Sequence, residues 1–163
     1  GLDPEKASMA KVTNKKKMKG ALKEAIRGMD VFIGVSVANA VSKEMVSSMG
    51  KRAIVFAMAN PTPEIMPHDA LRAGAAVVAT GRSDFSNQVN NALAFPGIFR
   101  GAMDAKAVRI TEGMNMAAAQ ALAGMVKNPS PNRIVPPLSN KNISKVVARA
   151  VKRQALKEKV TRS

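Results

Sequence analysis

Cysteine is absent from this sequence, which excludes both a disulfide framework and a thiol nucleophile. Tyrosine and tryptophan are missing too, and five phenylalanines make up the whole aromatic content of 3%. The interior must therefore be built from Ala, Val, Ile, Leu and the eleven Met. One histidine is present, His68, placed just after Pro67 in what reads as the first turn of a helix, a surface position rather than a catalytic one. No apolar run approaches the roughly 20 residues that span a bilayer. Gly1 to Asn14 is polar where a signal peptide needs an apolar stretch, so a cytoplasmic protein is expected. There is no Walker sequence and no G-x-G-x-x-G opening a helix after a first strand. Neither His/Cys nor paired carboxylates fall at metal-ligand spacing: Asp69 and Asp84 are isolated, and Glu64 follows a proline. Ser36 and Ser83 lack a histidine partner. No catalytic residue and no metal ligand is assigned.

What is present is enough for one folded domain: 163 residues, 46% of them hydrophobic. The net charge of +15 raises the question of a polyanionic partner, and its distribution answers it. Residues 1–27 carry a net +5 and residues 127–163 a net +9, while the long stretch between carries +1. The middle is balanced like an ordinary enzyme domain. The Lys15-Lys16-Lys17 and Lys152-Arg153 runs read as solvated faces, and neither nucleic acid nor membrane is the expected partner.

Along the chain, residues 1–17 form a basic lead-in without periodicity. Ala21, Leu22, Ala25 and Ile26 fall at helical spacing and predict a helix over about 18–27, stopped by Gly28. Three short apolar runs follow, at 31–36, 53–57 and 75–79. The first two are separated by a helix capped by Ser42, the last two by a helix over 67–73 begun by Pro67. Thr111 caps a long Ala- and Met-rich helix to about Val126. A Pro-rich connector occupies 128–138, and Ile143, Val146, Val147, Ala150 and Val151 mark the docking face of a basic helix over 142–157. Strands alternating with helices predict an α/β fold, a partial Rossmann-like, doubly wound domain with at least three parallel strands. Runs apolar on both faces predict helices on both sides of the sheet.

Right-handed crossovers put the carboxyl ends of all three strands on one edge, where such folds bind ligands. Gly34-Val35-Ser36, Ala59-Asn60-Pro61 and Thr80 to Asn91 leave that edge. The last loop carries four side-chain amides, Asn87, Gln88, Asn90 and Asn91. These can donate and accept without titrating, which suits a carboxylate, a carboxamide or a ribose. The same residue types also cap helices and shape turns, and composition alone does not separate the two roles.

Three stretches carry a family resemblance: Asp30-Val-Phe-Ile-Gly-Val-Ser36, Ile54-Val-Phe-Ala-Met-Ala-Asn-Pro-Thr-Pro-Glu64, and Thr80-Gly-Arg-Ser-Asp-Phe-Ser-Asn-Gln-Val-Asn-Asn-Ala-Leu-Ala-Phe-Pro-Gly-Ile-Phe-Arg-Gly101. Together they resemble the malic enzymes in their smaller bacterial and archaeal form, over nearly the whole chain. The resemblance implies oxidation of malate with NAD or NADP and decarboxylation to pyruvate, with Mg²⁺ or Mn²⁺, in a homo-oligomer. By its implication Gly34, Val35 and Ser36 run beside the cofactor, and Asn60 reaches the nicotinamide and substrate region. Asn91 resembles the asparagine that binds the malate carboxylate, with Asn90 assisting at the cofactor. Ser86 stands where the family usually has proline. Asn39 stands where glycine is common, a departure that crowds the cofactor if its φ must be positive. The family's catalytic tyrosine and lysine, metal-binding carboxylates and glycine-rich fingerprint belong before residue 1. The chain is therefore expected to be the carboxyl-terminal portion of the cofactor domain, inactive alone.

Two rival readings share the scaffold: a basic module for nucleic acid, and an interaction fragment completing another chain. Binding to nucleic acid would weaken steeply with salt. Neutralising Lys15, Lys16 and Lys17 together in a complete enzyme should leave cofactor affinity within about 0.5 kcal/mol of its original value. A tenfold loss, about 1.4 kcal/mol, would show that these lysines do more than keep a face wet.

Overall fold

Each apolar run forms a four-residue strand in the computed structural model, which describes residues 3–162: β1 Val31–Gly34, β2 Ile54–Ala57 and β3 Val77–Thr80. They pair in parallel in the order β1-β2-β3, with Gly34 level with Ala57 and Ala57 level with Thr80. Parallel neighbours need crossovers, and here these carry short helices, α3 Lys43–Ser47 and α4 Pro67–Arg72 (α1 and α2 precede the sheet). The Ser42 hydroxyl oxygen accepts the Met45 N–H and so starts α3. Pro67 opens α4, where its missing N–H would have had no partner. Gly74 makes the turn into β3 at φ +104°, a conformation that side chains avoid.

The layer under the sheet consists of α2 Leu22–Ala25 with α3 and α4. Ile26, Val46, Met49 and Ala70 meet Val55, Ala57 and Val78 there, and Phe32 packs against the cluster. Helix α2 is shorter than the predicted 18–27. The opposite face is not covered in the same way: Val31 and Ile33 remain 47% and 64% exposed. The expectation of helices on both faces is thus met on one face among the described residues. Both right-handed crossovers deliver α3 and α4 to the same side, and the helices that follow pack on each other.

Those helices are α5 Phe95–Asp104, α6 Glu112–Gly124 and α7 Ile143–Lys157, with a core of Leu93, Ala102, Met114, Ala118, Val147, Val151 and Ala155. The predicted caps and bounds of α6 and α7 hold to within two residues. Thr111 Oγ accepts the Met114 N–H and donates to the Glu158 carboxylate, which Gln154 also reaches, fastening the start of α6 to the end of α7. Helix α5 was not legible as a helix, because Pro96, Gly97 and Gly101 read as breakers. Pro96 lies in its first turn, where proline is tolerated, and the two glycines are contact surface. A Cβ on Gly97 would lie 2.5 Å from Val147 Cβ, and one on Gly101 2.5 Å from the Ala148 carbonyl oxygen.

The basic lead-in also differs from expectation. Pro4–Val12 forms a helix, α1, with Asp3 accepting the Lys6 N–H as its cap. It buries no residue, in keeping with the missing apolar period; Gly1 and Leu2 of the lead-in lie outside the described residues. No helix among the described residues is long and apolar enough to cross a membrane.

Gly101→Ala is expected to cost about 1–3 kcal/mol of stability, as overpacking does. Gly124→Ala, with nothing within 4 Å of the added carbon, should be neutral or stabilising by about 0.4–1 kcal/mol. Urea unfolding of both variants measures the difference, and equal stabilities would remove the close α5–α7 contact from the account.

Candidate functional site

Three loops leave the carboxyl edge of the sheet from Gly34, Ala57 and Thr80, which are level with one another. The first two are joined by one side chain. Glu64 is fully buried; its Oε1 accepts the Ser36 N–H at 2.7 Å and the Ser36 hydroxyl at 3.1 Å, and its Oε2 accepts the Ala59 N–H at 3.0 Å. Its main chain joins the same loops, because the Glu64 and Pro63 carbonyls accept from Val41 and Asn39. Gly34 makes room for the carboxylate: a Cβ there would lie 2.5 Å from Glu64 Cδ. Burial pushes the Glu64 carboxyl up, but the N–H groups of Ala59 and Ser36 outweigh it and hold the group below the usual carboxylate range. None of the ion pairs among the described residues includes it. The negative charge is held by dipoles alone. Sequence reasoning set Glu64 aside as an acid following a proline; the available signal was its place between Pro63 and the apolar Ile65.

Ser36 is exposed, although its N–H and hydroxyl are committed to Glu64, and Val35 beside it is 79% exposed. Asn39 adopts φ +58°, the left-handed region that glycine favours and asparagine tolerates. The residue thus takes up the conformation a glycine would occupy. Asn60 begins the second loop, exposed, at a cis peptide bond to Pro61.

In the third loop the amides divide between the two roles left open above. Asn87 is structural: its Nδ2 donates to the carbonyls of Val78 and Pro131 at 3.0 and 2.7 Å, and its Oδ1 accepts the Ile134 N–H at 2.9 Å. It staples β3 to the Pro-rich connector. Asn90 Oδ1 accepts the Ala92 N–H and caps a single 3₁₀ turn, Asn91–Leu93. Asn91 opens that turn, exposed, and like Asn60 its amide makes no side-chain hydrogen bond among the described residues. Arg82 and Asp84 bond to each other at 2.9 and 2.7 Å, with the guanidinium 5.4 Å from the Phe85 ring. Ser86 is exposed. Gly34, Val35, Ser36 and Asn60 are thus brought together through Glu64, while Asn90 and Asn91 stand at the far end of the loop from β3.

Among the described residues no group of three His, Cys, Asp or Glu could hold a metal ion. A groove of about 490 Å³ lies away from the sheet edge, lined by Lys15, Lys16, Met18, Lys19 and Met29. All five are exposed and none is fixed by a buried polar partner, so its size does not make it a site.

Residues 2–156 match the family model described as malic enzyme, NAD binding domain. The chain is 53% identical to the bifunctional malic/malolactic enzyme of Bacillus subtilis, over 99% of its own length and 40% of that protein. It is 55% identical to the NADP-dependent malic enzyme of Rhizobium meliloti, over 69% of this chain and 15% of the relative. The crystal structure of malic enzyme from Pyrococcus horikoshii superposes with a TM-score of 0.89 at 45% identity, covering 92% of this chain and 35% of that one. The chain thus spans well under half the length of these relatives. Its strand order, its sheet-edge loops and these likenesses agree: the chain belongs to the malic enzyme family, within the NAD-binding domain.

Proposed function

We propose that this chain serves an NAD- or NADP-dependent malic enzyme, which oxidises malate and decarboxylates the product to pyruvate, by presenting the carboxyl edge of its sheet to the nicotinamide and to malate. The observation that carries the reading is the pair of loops joined through Glu64, with exposed Val35, Ser36 and Asn60 on them. These residues suit a nicotinamide cofactor: small or exposed groups at the strand ends leave room for a flat ring. The uncommitted amides of Asn60 and Asn91 can donate to a carboxylate and accept from a carboxamide or hydroxyl. When bound, the nicotinamide supplies a hydride acceptor. Asn60 orients it and the substrate, Asn91 holds the malate carboxylate, and Asn90, its oxygen already used in the cap, assists through Nδ2.

The described residues do not fit the family's Mg²⁺ or Mn²⁺, and no step is assigned to a metal here. We assign its ligands, and the acid and base, to polypeptide outside this chain. A homo-oligomer and a cytoplasmic location complete the proposal.

The purified chain with malate, Mn²⁺ and either cofactor should show no turnover, and activity surviving stringent purification would overturn this division of labour. The site itself is tested by Asn91→Ala in a complete enzyme carrying this segment. Losing a hydrogen bond to a charged group costs about 1.5–3 kcal/mol, so kcat/KM should fall roughly 10- to 150-fold, through a raised KM and a lowered kcat. Unchanged kinetics with a lowered Tm would leave Asn91 as a turn residue only.

A further inference from the structure

Glu64 is an expensive way to hold two loops together. A buried carboxylate loses its hydration, and where only packing is needed an apolar side chain of similar size is often as stabilising. Here the full desolvation is met by three donors, all from the loops that leave β1 and β2. A second residue is given over to the same contact. Gly34 sits in a strand without positive φ, so no backbone conformation calls for glycine, and what its missing side chain provides is space for the carboxylate and for the edge of the Phe32 ring, 2.8 Å from an added Cβ. The donors also have a telling position. Ser36 N–H belongs to a residue exposed on the edge, and Ala59 N–H immediately precedes Asn60. The Asn91 loop is anchored separately, by Asn87 to β3 and the connector.

We propose that Glu64 is a positioning residue for the nicotinamide and malate site: its carboxylate holds the loops after β1 and β2 as one surface, so that Ser36 and Asn60 meet a single ligand together. The proposal rests on the reading of this edge as the cofactor and substrate site. It requires the first two loops to respond to ligand as a unit and the third to respond independently.

Amide hydrogen exchange and a two-dimensional NMR titration with NAD⁺ and NADP⁺ at millimolar concentration, on a complete enzyme carrying this segment, test it. In Glu64→Gln the donors on one of the two oxygens must face an NH₂ group, so exchange at Ser36, at Ala59 or at both should quicken about tenfold or more without ligand. The cofactor-induced shifts at Ser36 and Asn60 should be lost together while those at Asn91 persist. Ser36→Ala removes one donor and leaves the acid in place, and should quicken exchange at Ala59, on the other loop, by a smaller factor; it keeps the test open if Glu64→Gln does not fold. Unchanged exchange at both Ser36 and Ala59 in the folded variants overturns the proposal, as does an equal loss of response at Asn60 and Asn91, the mark of general destabilisation. If the complete enzyme with its native Glu64 shows no cofactor shifts at any of the three loops, the cofactor reading fails, and the positioning role fails with it. Shifts that Glu64→Gln leaves intact remove the positioning role alone.

Discussion

A buried negative charge that forms no ion pair among the described residues organises the sheet edge of this protein. The Glu64 carboxylate is stabilised by N–H and O–H dipoles from two loops that would otherwise be joined only through their main chains. Charge-assisted hydrogen bonds are the strong ones, and they demand geometry, since an acceptor away from water has no solvent to make up for a lost donor. The absent side chain at Gly34, the donors at Ser36 and Ala59 and the turn through Asn39 are all conditions for that one contact.

Behind the edge lie two apolar cores rather than one. The first joins α2, α3 and α4 to the sheet; the second lies within α5, α6 and α7. Asn87 links the sheet to the connector that leads into the last helix, with all three of its side-chain hydrogen bonds made to main chain. The helical core depends on a different device. With Phe95 and Phe99 of α5 both exposed, α5 and α7 approach closely through Gly97 and Gly101, so that many small van der Waals contacts replace a few large ones. Both cores suit a chain whose apolar stock is mainly Ala, Val, Ile, Leu and Met, with Phe32 packed against the first.

The strands, their parallel order, the caps at Ser42 and Thr111 and the docking face of α7 could be read from residue order, because each depends on local periodicity or on a capping side chain bonding three residues ahead. The convergence of Gly34-Val35-Ser36 and Asn60 on one edge was legible for the same reason: crossover handedness follows from chain chirality. Tertiary structure alone decided the rest. Whether an amide in the third loop is a staple, a cap or an exposed group depends on which carbonyl lies opposite, and for Asn87 that includes Pro131, distant in sequence. Pro96, Gly97 and Gly101 look like helix breakers until α7 lies against them. Glu64 looks like a stray acid until Ser36, 28 residues away, turns its N–H toward it. Local pattern determines where strands and helices form. What a polar side chain does is determined by its partner, and in this protein the partners that matter come from other loops.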